Sequence, residues 1–163
     1  MKKIKKYELT SEFKLNIGGK KVFRIKALID IEKYGVKKGD LGGYIEKEDN
    51  LSHDGNAWVY GNAWVYGNAE VYGNAKVCGN AEVYGNAEVC GNADYTIIKG
   101  FGTCFRTTTF FRCKDNTVKV ACGCFLGTID EFREQVKKTR EGKVAEEYLM
   151  IADLMEKHFE RDE

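Results

Sequence analysis

Between residues 55 and 96 the hydrophobic pattern repeats every six positions without a gap: GNAWVY GNAWVY GNAEVY GNAKVC GNAEVY GNAEVC GNADYT. Within each unit, Ala-x-Val-Tyr alternates small, variable, aliphatic and aromatic side chains. That period of two belongs to a short strand with two opposite faces. Ala57, Ala63, Ala69, Ala75, Ala81, Ala87 and Ala93 then share a face with Val59, Val65, Val71, Val77, Val83 and Val89, and Tyr95 takes the seventh aliphatic place. Gly-Asn falls between strands. Both residues tolerate left-handed backbone angles, so each pair predicts a corner. A four-residue strand and a two-residue corner, repeated, wind into a coil whose turns stack and whose inward residues form columns.

The flanks carry other patterns. Tyr7–Ala27 reads as a β-hairpin, with YELTSEFKLN and KKVFRIKA joined at Gly18-Gly19. Ile45 and Leu51 are also six apart in GGYIEKEDNLS, which gives the coil a candidate start before residue 55 with a small insertion at residues 52–54. Beyond the repeat, TTTFFRC and TVKVACGCF flank Lys114-Asp115-Asn116, a second hairpin signal. Thr128-Ile129-Asp130-Glu131 is a capping box that opens a helix with Ile129, Phe132 and Val136 on its apolar stripe. Val144, Tyr148, Ile151, Met155 and Phe159 recur at helical spacing and predict a longer closing helix. Three segments result: a lead-in over residues 1–54, the repeat over 55–96, and a ββαα segment over 97–163.

The V-Y-G-N-A-x array resembles the hexapeptide repeat, [LIV]-[GAED]-x-x-[STAV]-x, of left-handed parallel β-helices, and the resemblance covers all seven units. It implies a triangular coil of three hexapeptides per turn, with Val59 over Val77 over Tyr95, Val65 over Val83 and Val71 over Val89. The expected fold class is therefore mainly β: a short left-handed parallel β-helix capped by an N-terminal β-hairpin and a C-terminal ββαα segment. Together with the GDLGGYIEKEDNLS lead-in and the CGCFLGTIDEF segment, the array is similar to phage and prophage hexapeptide-repeat proteins. Proteins of this kind are commonly trimers, so the resemblance implies a homo-oligomer, with a trimer favoured.

Charge adds one refinement. The chain has 26 basic and 25 acidic residues and a net charge of +1, which gives no general pull toward nucleic acid or an anionic membrane. The first 50 residues carry 13 Lys/Arg against 8 Asp/Glu, while residues 51–96 carry 1 against 5. The basic start MKKIKK precedes no long apolar run, so no signal peptide or membrane span is expected, and the expected location is the cytoplasm of the host cell. The six cysteines then read as reduced thiols.

The chemistry is sparse. Many hexapeptide proteins are acyltransferases with a histidine as general base, and His53, beside Asp54, is the one candidate for that role. The plain alternative is a histidine in an exposed loop insertion. His158 suits the end of a helix on electrostatic grounds alone. Two histidines are too few for a three-histidine zinc site. The C-x8-C-x8-C-x-C spacing of Cys104, Cys113, Cys122 and Cys124 does not match structural zinc knuckles, so neither metal nor cofactor is expected.

Trp58, Tyr60, Trp64 and Tyr66 crowd the outward positions of the first units. They call for a covering segment, an oligomer interface or aromatic walls for a flat ligand. Arg106, Thr108 and Arg112 set guanidinium groups beside hydroxyls, a combination that suits phosphate. Three readings follow. The first is a non-enzymatic phage-type binding protein, specifically one that sequesters a nucleotide signal of bacterial antiphage defence. The second is an acyltransferase using His53, and the third is a structural assembly protein.

Overall fold

The computed structural model describes residues 4–161, which divide between Asn92 and Ala93 into two compact units. In the first, β1 (Tyr7–Leu15) and β2 (Lys21–Ala27) form an antiparallel hairpin. Asn16 shapes its turn. The side-chain oxygen accepts from the backbone N–H groups of Gly18 and Lys20, both at 3.0 Å. β3 (Leu41–Ile45) adds antiparallel to β2.

The repeat then supplies six strands of two residues each: β4 (Trp58–Val59), β5 (Trp64–Val65), β6 (Glu70–Val71), β7 (Lys76–Val77), β8 (Glu82–Val83) and β9 (Glu88–Val89). They pair in parallel as β4 with β7, β5 with β8 and β6 with β9, each residue opposite the one eighteen positions on. β3 also pairs in parallel with β5, with Ile45 opposite Val65, and Leu51 bridges to Val71. Those offsets are twenty, because residues 52–54 lengthen the path by two. Ala57 through Ala87 and Val59 through Val89 are all buried, at 0–1 % exposure. Glycine is required at the corners. Gly73 has φ +65°, and a Cβ there would lie 2.6 Å from the Cys90 carbonyl oxygen, so a side chain meets both a left-handed backbone and a wall.

The first turn of the repeat has no earlier turn to pair with, and its alanine carbonyls find other donors. The Lys6 ammonium donates to the Ala57 oxygen at 2.6 Å. The Tyr44 backbone N–H reaches the Ala63 oxygen at 2.9 Å. The Asn50 side-chain amide donates to the Ala69 oxygen at 2.9 Å and to the Gly67 oxygen at 3.1 Å. Lys6 and Asn50 are fully buried, so each satisfies a backbone group that would otherwise be stranded away from water.

The second unit is a four-stranded antiparallel sheet of β10 (Tyr95–Ile98), β11 (Thr108–Arg112), β12 (Val118–Cys122) and β13 (Phe125–Thr128), in that order. It is followed by α1 (Ile129–Thr139) and α2 (Gly142–His158). Thr128 caps α1, accepting from the Glu131 N–H at 3.2 Å. Phe110, Val120, Phe132, Tyr148 and Met155 are in its core. Arg133 ties the helices together, donating to Asp130 on α1 and to Asp153 and Glu156 on α2.

The expected class is corrected. The structure is not a mainly-β left-handed parallel β-helix with two caps. It is a mixed fold of several small sheets with two C-terminal helices. One sheet is five-stranded and mixed, one is four-stranded and antiparallel, and two are single parallel pairs. Two extended residues per unit are too few to build solenoid faces, and among the described residues the sheet of more than two strands that β5 and β8 join is completed by the non-repetitive strands β1, β2 and β3. The seventh unit leaves the array. Ala93 is exposed, Gly91 lacks the positive φ of the other corners, and Tyr95 pairs with Phe111 in the second sheet rather than stacking over Val77. The ββαα expectation also undercounts, because β10 and β13 make that sheet four-stranded. Among the described residues no helix is long and apolar enough to cross a membrane.

Burial makes the inward and outward positions separable. Val71→Asp places an unpaired carboxylate at a site with 1 % exposure, at a cost of several kcal/mol, and is expected to abolish folded protein. Glu70→Lys, at the exposed neighbouring position, is expected to leave the circular-dichroism melt within a few degrees of wild type. Equal behaviour of the two variants would refute the assignment of faces.

Candidate functional site

The second unit holds a cavity of about 350 Å³ between the β12–β13 turn, the inner face of α1 and Tyr148 of α2. Its floor is aromatic. Phe132 meets Phe110 edge-on at 6.2 Å and Tyr148 at 5.7 Å, with Phe125 tilted against it at 5.9 Å. The spacing 132, 135, 136, 139 brings Phe132, Gln135, Val136 and Thr139 of α1 onto the cavity wall. Arg140 ends α1, its backbone N–H still bonded to the Val136 carbonyl at 2.9 Å, and it too lines the cavity.

Arg106 enters from the β10–β11 connection and lies across the β12–β13 turn. Gly123 has φ +60°, and a Cβ there would come within 1.9 Å of the Arg106 Nη1 atom, so a side chain at this turn would displace the guanidinium from its place. Cys122 and Cys124 flank that turn and line the cavity. The exposed Cys104 thiol is pulled below its usual range, chiefly by a hydrogen bond from Arg106. Burial raises the Tyr148 phenol, which is therefore a hydrogen-bond donor at neutral pH. The lining includes no aspartate, glutamate or histidine. Among the described residues no carboxylate pairs with Arg106 or Arg140. The cavity thus offers two cationic donors, neutral hydroxyl and amide donors and an apolar floor, which suit an anion with an unsaturated or aromatic body.

The remaining residues of the expected binding set lie elsewhere. Thr108 is buried and donates to the Cys122 sulfur at 3.2 Å. Arg112 is buried and already engaged: Nη2 donates to the Phe159 carbonyl at 3.0 Å, and Nε lies 3.4 Å from Asp94 Oδ1. Trp58, Tyr60, Trp64 and Tyr66 belong to the first unit and are covered within it. Trp58 is buried with Tyr7 edge-on at 6.4 Å, and Tyr34 stands edge-on to Tyr60 at the same distance. Tyr44 stands edge-on to Trp64 at 6.5 Å, and Tyr66 stacks on Tyr84 at 4.6 Å. Sequence reasoning missed Gln135, Thr139, Arg140 and Tyr148. The available signal was two polar residues set into the α1 stripe.

His53 has a different setting. Its ring stacks on Tyr7 at 4.2 Å, its Nδ1 accepts from the Lys6 backbone N–H at 3.1 Å, and its Nε2 lies 3.6 Å from Glu48 Oε1. An imidazole whose Nδ1 lone pair is occupied in this way carries its proton on Nε2 when neutral, so neither nitrogen is free to accept one from a substrate. Burial lowers its pKa, and that keeps it in this neutral form. A second cavity of about 400 Å³ borders it, but Glu48, Asp49 and Glu70 also line that cavity and oppose the phosphates of an acyl-CoA. His158 is exposed in the last turn of α2.

Lys6, whose backbone N–H donates to His53, has a side chain shifted by its burial. Burial lowers its ammonium from 10.5 to about 8, with Asp54 partly opposing the shift. The folded state therefore disfavours the charged lysine, and the penalty is fully present below pH 8. Between pH 8 and 10.5 the unfolded chain binds more protons, so stability rises with pH. The whole effect is on the order of 3 kcal/mol. Denaturant midpoints are expected to increase from pH 8 to 9.5 in the wild type and to stay flatter in Lys6→Met; parallel curves would refute the assignment.

No family model matches the chain, and no curated protein matches it in sequence.

Proposed function

We propose that the protein is a non-enzymatic binding protein whose ligand is a small anionic molecule of nucleotide type, held in the cavity of the second unit. The observation that carries this reading is the pair of guanidinium groups, Arg106 and Arg140, at the edge of an aromatic-floored cavity with no carboxylate in its lining. Arg106 is exposed and Arg140 half-buried at the rim, and neither has a carboxylate partner among the described residues, so both can engage an anion from outside. About 350 Å³ lies near the lower end of the range for small-ligand sites and favours a single nucleotide-sized molecule. The lining lacks a general base, which favours reversible binding over turnover. In such a protein the effect follows stoichiometry, as in the sequestration of a nucleotide signal, and the likeness of the repeat and lead-in to phage proteins supports that role. The acyltransferase reading is weakened by the engagement of the His53 Nδ1 lone pair with the Lys6 backbone N–H, which leaves the neutral ring's proton on Nε2.

Native mass spectrometry of gently purified protein, compared with the denatured sample, is expected to release a nucleotide-sized mass. Isothermal titration with that compound, or with a panel of mononucleotides if the site is emptied on purification, is expected to give a Kd weakened about 10- to 100-fold in Arg106→Ala and in Arg140→Ala, the loss of one charge-assisted contact each. Binding that is unchanged in both variants, or absent from the wild type across the panel, would overturn the proposal.

A further inference from the structure

β1 is the end strand of the five-stranded sheet, with β2 as its one neighbour. Its outer edge is long, and its distal half is conspicuously apolar on one face. Phe13 and Leu15 are 45 and 57 % exposed, and Ile17, in the turn just beyond β1, is 77 % exposed. Phe23 leans on Phe13 from β2, and the Lys21 ammonium sits 4.4 Å over the Phe13 ring, but neither closes the face. On the opposite face, Glu12 and Lys14 stand on either side of Phe13. Glu12 Oε1 accepts from the Tyr44 hydroxyl at 3.1 Å and lies 3.8 Å from Arg24 Nε, and the Lys14 ammonium lies 4.8 Å over the Tyr44 ring. Both remain exposed. The pairing with β2 is irregular between Leu9 and Phe13 and regular from Phe13 to Leu15, so the straight part of the edge is the apolar part.

A free edge of this kind is a template for another strand, and proteins that stay monomeric usually blunt it with inward charge, proline or short length. The charge order here selects one partner. If a second β1 runs antiparallel with Phe13 opposite Phe13, Glu12 of each copy faces Lys14 of the other. Ser11 then faces Leu15. Moving the centre by one residue, to Glu12 or to Lys14, sets like charges opposite each other, and a parallel arrangement sets Glu12 against Glu12. Of these registers, the one centred on Phe13 sets opposite charges together on one face and Phe13 against Phe13 on the other.

We propose that β1 pairs antiparallel with β1 of a second copy of this chain, about a two-fold axis through Phe13, to make one continuous ten-stranded sheet. The contact is isologous and closes at two subunits, whereas a trimer would require a different, heterologous surface. This inference is independent of the ligand reading.

The test is sedimentation velocity over a concentration series, with far-ultraviolet circular dichroism and thermal melts as fold controls. Wild type is expected to shift from monomer to dimer with rising concentration, and Phe13→Asp to stay monomeric with an unchanged spectrum. Lys14→Glu and Glu12→Lys each set two like-charge pairs across the axis and are each expected to weaken the dimer about tenfold. Mixing those two variants restores opposite charges and is expected to give a heterodimer at least as tight as wild type, visible by native mass spectrometry. A wild type that is monomeric at millimolar concentration, an oligomer unaffected by Phe13→Asp, or a mixture no tighter than its components would overturn the proposal.

Discussion

The first unit depends on how its opening turn is closed. A strand of two residues makes too few ladder bonds to stand alone, so each repeat unit persists only while a neighbour pairs with it. At the start of the array no repeat unit precedes, and the neighbours are the non-repetitive β3, opposite β5, and Leu51, opposite Val71. The buried Lys6 ammonium, the Tyr44 amide and the buried Asn50 side chain supply one donor each to Ala57, Ala63 and Ala69. Burying a lysine is unfavourable in itself, and its depressed ammonium registers that. The arrangement holds because the alternative is a stranded backbone carbonyl. Tyr7 then fixes the segment that carries Lys6, its hydroxyl donating to the Leu51 carbonyl at 2.6 Å and to the Glu48 carbonyl at 2.9 Å. His53 is a structural participant here, stacked on Tyr7 and bonded to the Lys6 backbone.

The same constraint explains which parts of the fold were legible in the sequence. The Ala and Val columns could be read directly, because a six-residue period with an inner alternation leaves only one way to bury those side chains. The hairpin could be read because its turn chemistry is local. The class could not, because period and corner say how a unit turns but not how many residues stay extended or what completes the sheet. The last unit misled for the same reason. GNADYT keeps the spelling of the repeat, yet Tyr95–Ile98 finds a full antiparallel partner in Thr108–Phe111, and four paired residues outweigh two. β13 was hidden by Gly127 and by its brevity, which erase the alternation a strand normally shows.

Site legibility divides along a physical line as well. Arg106 and Arg112 look alike in the sequence, six residues apart in one polar stretch. Arg112 falls on a strand whose residues are buried throughout, so it had to be neutralised from within, and Asp94 and the Phe159 carbonyl do that. Arg106 precedes the strand, so its guanidinium is free to cross the Gly123 turn and reach the cavity. No feature of the local sequence distinguishes a structural arginine from a binding one. The distinction appears only when the counter-ions are located.

That comparison also bears on function. A fold that supplies carboxylates to Arg112 and to Arg133 does not lack acidic residues to place, and residues 97–163 have as many acidic as basic ones, 12 of each. Two guanidiniums left without a carboxylate around one apolar-floored cavity therefore form a local excess of positive charge that the fold could have cancelled. Such an excess would be relieved by an anion of the proposed kind, and the relief would appear as added stability. The gain from binding also acts on the fold, because the cavity is walled by both helices and the β12–β13 turn. An occupied site would hold α1, α2 and the sheet together more firmly than Arg133 and the core do alone. Under the proposed reading, ligand capture and stabilisation of the second unit would be one equilibrium rather than two properties.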